Sequence, residues 1–382
     1  MKSQLAKAAA GIVIVMTVGG LLVIWSGVVN IGASSGHWPG MGWFLQFAMR
    51  QSVQRHAAGI EVPPLNEPGM ILRGAAHYAT GCAPCHGEPG NPRTPIVRHM
   101  TPPVTFLPPI IEQWKPNELF WMVRHGLKYT GMPAWVAPER PDEVWSMVAF
   151  LLRLPELDAL AYEKLAYGET AAGRGWTGGD RLRGLGGAFS GLLQECARCH
   201  GRDGLGRGAG AFPKLAAQSE RYLYESLKSY AEGDRASGIM QPVAASLSDA
   251  AMRAASAEYA RMQDIDAAPL PKADETARRR GQAIAARGIP GRDVPACAHC
   301  HGPDAVARNP LFPTLAGQPA EYLRVQLELW KTGRRGGTPY APLMTAVARN
   351  LEPEQMHDVA LYFSSLDPDA DAETPAPDSG KL

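Results

Sequence analysis

The chain has 382 residues, a length that fits two or three domains of roughly 100 to 200 residues better than one compact core. Thirty-eight Lys plus Arg against 37 Asp plus Glu leave a formal charge of +1, so no broad basic face is available to grip polyphosphate, and nucleic acid is not an expected partner. The 45% hydrophobic residues can build cores, while 41 glycines and 33 prolines imply much loop.

In chain order, Ala8 to Val29 carries no charge and is rich in Val, Ile, Leu and Gly. A membrane helix needs about 20 apolar residues, whereas the apolar region of a cleaved signal runs to about 7 to 15. Residues 1–36 are therefore expected to form a retained N-terminal membrane anchor; the alternative is a signal peptide cut near Ala33 or Ser35. Lys2 and Lys7 ahead of the helix, and Trp25, Trp38 and Trp43 around its far end, suit a single-pass, N-in topology in the inner membrane with the bulk outside the cytoplasm. Both alternatives predict that compartment. Residues 37–68 come next as an interfacial or linker segment. Within it Trp43, Phe44, Phe47 and Val53 mix with Arg50 and Arg55, which fits either a short interfacial helix or an ordinary connector. Pro63, Pro64 and Pro68 read as an extended spacer holding the rest of the chain off the membrane surface.

The remainder is a repeat. All six cysteines fall in three pairs, Cys82 with Cys85, Cys196 with Cys199, and Cys297 with Cys300, each followed at once by a histidine: His86, His200 and His301. Phe212, Pro213, Leu215, Ala216 and Gln218 recur 100 positions later as Phe312, Pro313, Leu315, Ala316 and Gln318, and Tyr222 and Leu223 as Tyr322 and Leu323. From Met240 and Met344 onward the shift becomes 104, as a short loop insertion would produce. The first copy diverges further but keeps the order of motif, proline-rich loop, Gly-Met and amphipathic helix. Three units result: 69–156, 181–264 and 277–366, joined by linkers at 157–180 and 265–276 and followed by an acidic, proline-containing tail at 367–382 that reads as disordered.

Each unit is expected to begin with a short helix ending at the cysteines. Each should close with a helix at three- and four-residue apolar spacing: Val144, Met147, Val148 and Leu151 in unit one, Met356, Val359, Ala360 and Phe363 in unit three. The starts lie at Asp142 after Pro141 and Glu354 after Pro353. Unit two departs after Asp249, where Ala250, Ala251, Ala254 and Ala255 replace large aliphatics.

Two thiols three residues apart can form thioethers to the two vinyl groups of one haem while the adjacent imidazole reaches the iron. Structural zinc would need a second ligand pair per unit, and a thioredoxin-like redox pair leaves three histidines unexplained. Covalent haem c, three per chain, is the reading that accounts for every cysteine. A sixth ligand follows by position. Met132, Met240 and Met344 each lie in an expected loop ahead of the closing helix, and a thioether there favours ferrous iron and a higher potential. His99, Met100 and His125 are rivals for Met132. Met122, Met147, Met252 and Met356, at helical spacing among apolar neighbours, are expected to pack in the core, and His299, between two attaching cysteines, to be an exposed neighbour.

These residues resemble the class I c-type cytochromes. Cys196-Ala-Arg-Cys-His200-Gly, Phe212-Pro-Lys-Leu-Ala and Met240 with Pro242 resemble, with their counterparts in unit three, the two halves of cytochrome c4. Cys82-Ala-Pro-Cys-His86-Gly and Tyr129-Thr-Gly-Met132-Pro-Ala-Trp135 are similar to single-haem domains of membrane-bound oxidase and dehydrogenase subunits. The resemblance covers roughly residues 70 to 365. It implies an all-α fold, three class I domains in tandem behind a transmembrane helix, His/Met ligation (His86 with Met132, His200 with Met240, His301 with Met344) and periplasmic electron transfer. The expected function is single-electron transfer between a respiratory donor, a dehydrogenase or quinol-oxidising complex, and an oxidase or other acceptor. No catalytic residue is expected. Two other readings are a haem peroxidase with an open site, unit two being the one to suspect, and an obligate cytochrome subunit of a dehydrogenase or oxidase complex.

Overall fold

The computed structural model describes residues 2–38, 40–168, 188–208, 210–262, 274–302 and 309–366. Residues 169–180 and 265–273 of the expected linkers, and the tail 367–382, lie outside them. The described residues are helical, with isolated bridges in place of strands.

Helix α1 (Lys2–Ser26) is exposed from Ser3 onward, and an 18-residue window within Ser3–Ser26 has a mean hydropathy of 2.4 with none of it buried against protein. It is long and apolar enough to cross a membrane. Helix α2 (Met41–Ala57) divides into two halves. Its second half belongs to unit one: Val53 and Ala57 are fully buried, Asn117 Nδ2 donates to Ala57 O at 2.8 Å, and Arg50 lies 4.8 Å over the Trp114 ring. Its first half leaves Trp43, Phe44 and Phe47 exposed, with the Trp43 and Phe47 rings stacked at 5.6 Å. The proline-bearing stretch after α2 is not a free spacer, since Ile60 and Leu65 pack on the core of unit one.

Unit one is built on α3 (Pro68–Gly81), α4 (Pro116–His125), α5 (Pro141–Leu151) and α6 (Ala159–Tyr167). Proline at the first turn starts α3, α4 and α5, where its missing N–H costs nothing. Val144, Met147, Val148 and Leu151 are all buried, as their spacing requires, and α3 crosses α5 at Gly74. Helix α6 falls where a linker is expected. Asp158 caps it by accepting from Ala161 N at 2.7 Å, and buried Tyr162 and Ala166, one turn apart, turn it onto the Tyr78 and Phe150 rings.

Unit two comprises α7 (Ala188–His200), α8 (Glu220–Glu232), α9 (Met240–Ala245) and α10 (Asp249–Ala260). Despite its alanines, α10 closes the unit by burying Met252, Ala255, Ser256 and Tyr259, and Ser248 caps it. Unit three comprises α11 (Glu275–Arg287), α12 (Ala320–Lys331), α13 (Ala341–Arg349) and α14 (Pro353–Ser364). Here the leading helix stops well short of Cys297. Gly288 turns the chain at φ 67°, and Ile289 pairs with Val294 before the motif is reached. Met122, Met147, Met252 and Met356 are core residues.

Units two and three face each other across a pseudo-two-fold axis. Gln218 Nε2 donates to Thr314 O and Gln318 Nε2 to Lys214 O, both at 2.8 Å, while Thr314 N and Lys214 N return bonds to Gln218 Oε1 and Gln318 Oε1, both at 3.1 Å. Arg235 and Arg335 pair as an antiparallel bridge. The repeat seen in sequence is thus an isologous interface folded into one chain.

Candidate haem sites

Each motif forms a helical turn with its histidine at the end, and in each unit the histidine meets a carbonyl from the following loop. His86 Nδ1 lies 2.9 Å from Thr105 O, His200 Nδ1 3.0 Å from Pro213 O, and His301 Nδ1 3.0 Å from Pro313 O. A carbonyl only accepts, so Nδ1 carries the proton and the Nε2 lone pair is left for a metal. Burial lowers the basicity of all three imidazoles, which favours the neutral form a ligand needs. The glycine after the histidine is tied to its own unit in the first two sites: Tyr78 Oη donates to Gly87 O at 2.6 Å, and Tyr259 Oη to Gly201 O at 3.4 Å. Phe212 and Phe312 stand 6.5 Å and 6.2 Å from the His200 and His301 rings.

The six thiols are all unpaired with one another. Burial pushes Cys82 up to about 12, and Cys196 and Cys297 up to about 11. A disulfide-exchange nucleophile requires the opposite shift, so the thioredoxin-like alternative lacks its chemistry here.

A cavity of about 570 Å³ lies between units two and three. Cys196, Cys199, His200 and Met240 line it from one side, and Cys297, Cys300, His301 and Met344 from the other. Met240 and Met344 are half-buried, and both sit in helices, Met240 as the first residue of α9 and Met344 within α13, rather than in the loops their sequence context suggests. Proline near the start of each helix accounts for this: Pro242 and Pro342 fit a first turn. Met132 does lie in a loop, half-buried against the core cluster that also touches Cys82. Its rival Met100 is close by, for its Cε stands 2.8 Å from where a Gly131 Cβ would be. His125 is exposed beside Trp121, and His99 Nδ1 lies 2.7 Å from Pro95 O of its own turn. His299 is exposed.

Two arginines in this cavity escape a reading from motifs alone. Arg235 is 4% exposed and donates to Ser226 Oγ, Tyr322 Oη and Gln326 Oε1, yet its Nε has no hydrogen-bond partner among the described residues. Arg335 donates to Gln326 Oε1 and Tyr222 Oη. Burial alone would raise the Tyr222 phenol, but the two guanidinium groups bring it down to about 7. The two guanidinium groups therefore bring positive charge to this part of the cavity lining. Porphyrin propionates are the anions such a place would take, so thiols, imidazoles, thioethers and guanidinium donors together fit haem c. The clue lies in the repeat, since Arg235 and Arg335 obey the same 100-residue shift.

The geometry agrees with comparison to known proteins. Residues 69–151 match the family of cytochrome C oxidase, cbb3-type, subunit III, and residues 190–269 and 279–367 match cytochrome c. The thiosulfate dehydrogenase electron acceptor of Stutzerimonas stutzeri (strain A1501) is 38% identical over 188 residues, 49% of this chain and 86% of that protein. The chain is a class I c-type cytochrome. Cytochrome c4 of Pseudomonas aeruginosa is 31% identical to it over 172 residues, 45% of this cytochrome and 83% of the relative. The solved thiosulfate dehydrogenase (TsdBA) from Marichromatium purpuratum, in its as-isolated form, shares 39% identity over 46% of this cytochrome and 36% of that chain, with a TM-score of 0.41. The cytochrome thus spans about a third of the length of that structure. It is an electron-transfer protein with c4-like domains, and its class binds haem c covalently.

Proposed function

We propose that this cytochrome is a membrane-anchored, periplasmic carrier with haem c at three motifs, taking single electrons from a respiratory donor and passing them to an oxidase or other acceptor. The observation that carries the reading is the histidine arrangement: three imidazoles, each at the end of a Cys-x-x-Cys turn, each with Nδ1 held by a loop carbonyl. Cys82 and Cys85, Cys196 and Cys199, and Cys297 and Cys300 would carry the thioethers. His86 with Met132, His200 with Met240, and His301 with Met344 would fill the axial positions. Haem iron supplies a reversible one-electron couple, and the chain sets its potential by ligand, burial and hydrogen bonding. Arg235 and Arg335 would neutralise propionates and exclude bulk water from the cavity.

The names of the relatives support a dehydrogenase as donor, and a thiosulfate-oxidising one in particular. The cbb3-type match of unit one favours an oxidase on the acceptor side, and with it a second reading as a fixed subunit of an oxidase complex. Intact-mass measurement of the purified chain should show three haems, and redox titration three low-spin couples. Purified thiosulfate dehydrogenase with its substrate should reduce the chain within the mixing time of a visible-spectrum assay. Fewer than three haems, or no low-spin c-type band on reduction, would reject the reading. Removal of residues 1–36 behind a cleavable signal should move the protein from the membrane to the soluble periplasmic fraction, and a truncated protein still in the membrane pellet would reject the anchor.

A further inference from the structure

The segment that carries Met240 is held by a residue of another unit. Glu143, in the first turn of α5 of unit one, is 5% exposed. Its Oε1 accepts from Ser237 Oγ at 2.6 Å and its Oε2 from Gly238 N at 2.7 Å. Ser237 Oγ in turn accepts the N–H of Met240 at 3.0 Å and that of Ile239 at 3.3 Å. The hydroxyl proton is committed to the carboxylate, which orients the oxygen lone pairs toward the methionine backbone. Burial pushes the Glu143 carboxyl up while the Arg140 guanidinium beside it favours the charged form, in which the bonds it accepts are the stronger, charge-assisted kind and each bond in the chain polarises the next.

Behind Glu143 stands Arg140, whose Nη1 is 2.9 Å from Glu143 Oε1 and donates to Ala236 O at 2.9 Å. Trp135 Nε1 donates to Glu143 Oε2 at 3.3 Å, and the fit around it is close: a Cβ on Gly238 would lie 2.1 Å from that nitrogen. Ala236, Gly238, Ile239 and Met240 are therefore all tied, directly or through Ser237, to side chains of unit one. Unit one also covers the flank of the second site. Leu72 and Ala76 of α3 pack against Phe212 and Cys199, and Ala76 and His77 line the cavity beside His200. Met344 is held differently, within α13, its N–H directed at Tyr340 O of the same unit.

We infer that Glu143 is a positioning residue for the second haem site: the docking of unit one sets the segment from which Met240 reaches the iron of unit two. This rests on the reading of Met240 as an axial ligand. Ligation in unit two then depends on unit one being seated, whereas ligation in unit three does not. Because a methionine-ligated haem c sits at a higher potential than one that has lost its thioether, unit one tunes the potential of its neighbour without touching the iron.

The test uses full-length holoprotein carrying Glu143→Ala, Glu143→Gln or Ser237→Ala, with haem content fixed by intact mass. The readouts are the methionine-to-iron charge-transfer band of the ferric protein and a redox titration. Glu143→Ala should lose up to about one third of the band, the share of one site in three, and lower one potential while two stay in place. Glu143→Gln, whose amide oxygen still accepts from Ser237 but whose amide nitrogen then faces the Gly238 and Trp135 N–H donors, should recover only part of both. If Glu143→Ala fails to accumulate as folded holoprotein, Ser237→Ala decides, since it leaves the Arg140 pair and the Gly238 bond intact. A full band and three unchanged potentials in Ser237→Ala, with three haems bound, would overturn the inference. Met240→Ala separates this from the underlying reading: if that variant too leaves the spectrum unchanged, it is the ligand assignment that fails.

Discussion

An alanine at Gly74 tests the helix crossing on which unit one is built. In an isolated helix the change would gain about 1 kcal/mol. In this fold the new methyl would stand 2.1 Å from Ser146 O, 2.9 Å from the Ser146 carbonyl carbon and 2.6 Å from Phe150 Cβ, all on α5. The first of these is roughly 1 Å too close even for a tight contact, and backbone atoms cannot rotate aside. Forcing such a core apart costs about 1 to 3 kcal/mol, here at the upper end, and loosens the Tyr78–Phe150 ring pair, 5.2 Å between centroids, for about 1 kcal/mol more. After subtracting the propensity gain, Gly74→Ala should destabilise unit one by roughly 2 to 3 kcal/mol. Gly281→Ala is its replicate in unit three, where the methyl would meet Asp358 O at 2.0 Å and Tyr362 Cβ at 3.0 Å on α14. Hydrogen exchange read by mass spectrometry resolves the two units. Amides of α3 and α5 should exchange roughly 30- to 150-fold faster in the first variant, and those of α11 and α14 in the second. Unchanged or slower exchange in α3 and α5 of Gly74→Ala would refute the crossing.

Met132→Ala, Met240→Ala and Met344→Ala should each convert one haem to a high-spin or misligated form and lower one potential, leaving two unaltered; an unchanged spectrum withdraws that ligand. Replacing Cys297 and Cys300 together by alanine should lower the intact mass by one porphyrin, and a mass that falls only by the side-chain change would count against attachment there. Acid should weaken the seating of unit one through His77, whose imidazole burial and the neighbouring Arg198 push down to about 4. The unfolded chain takes up that proton near pH 6.5 and the folded chain only near 4, so the stabilisation is complete above 6.5 and is lost as pH falls across that window, by up to roughly 3 kcal/mol. Denaturation midpoints at about pH 7.5 and about pH 4.5 should converge in His77→Leu relative to the parent, and an equal pH response in both would reject the assignment.

What can be read from sequence is what haem attachment and burial fix locally. Two thioethers and one imidazole on one porphyrin allow no freedom of spacing, so the three motifs stand out in any context. The closing helices are legible for a similar reason, and Met356, Val359, Ala360 and Phe363 all prove buried at the spacing that announces them. Features set by tertiary partners are not legible. Helix α6 reads as linker because Asp158 and Glu163 flank a short apolar face whose partner, the Tyr78 and Phe150 rings, lies far back in the chain. The alanines of α10 suggest weak packing, yet Tyr259 and Met252 supply the buried surface. Glu143 reads as one more acidic residue favouring a helix start, and nothing in its own neighbourhood shows that its carboxylate leaves the unit.

The joints between units differ in kind, and the difference bears on how the chain works. Between units two and three the polar contacts come in mirrored pairs: Gln218 with Gln318, Lys214 with Thr314, Arg235 with Arg335. Such a joint places the two motifs around one cavity on nearly equal terms, departing from the mirror where Gln326, which takes both guanidinium groups, has Ser226 as its counterpart. The joint between units one and two has no such mirror. At the Met240 segment a buried carboxylate and its arginine come from unit one and unit two offers backbone and one hydroxyl, while elsewhere in the joint Arg207 of unit two donates to Leu165 O at 2.6 Å. Three hydrogen bonds to charged groups cross at the Met240 segment, Ser237 Oγ and Gly238 N to Glu143 and Arg140 Nη1 to Ala236 O, each worth roughly 1.5 to 3 kcal/mol, so the contact helps to hold unit one and is local enough to act on a single methionine. The coupling proposed for Glu143 would act on one half of this pair only, from outside it, and so give two sites that repeat in sequence different potentials.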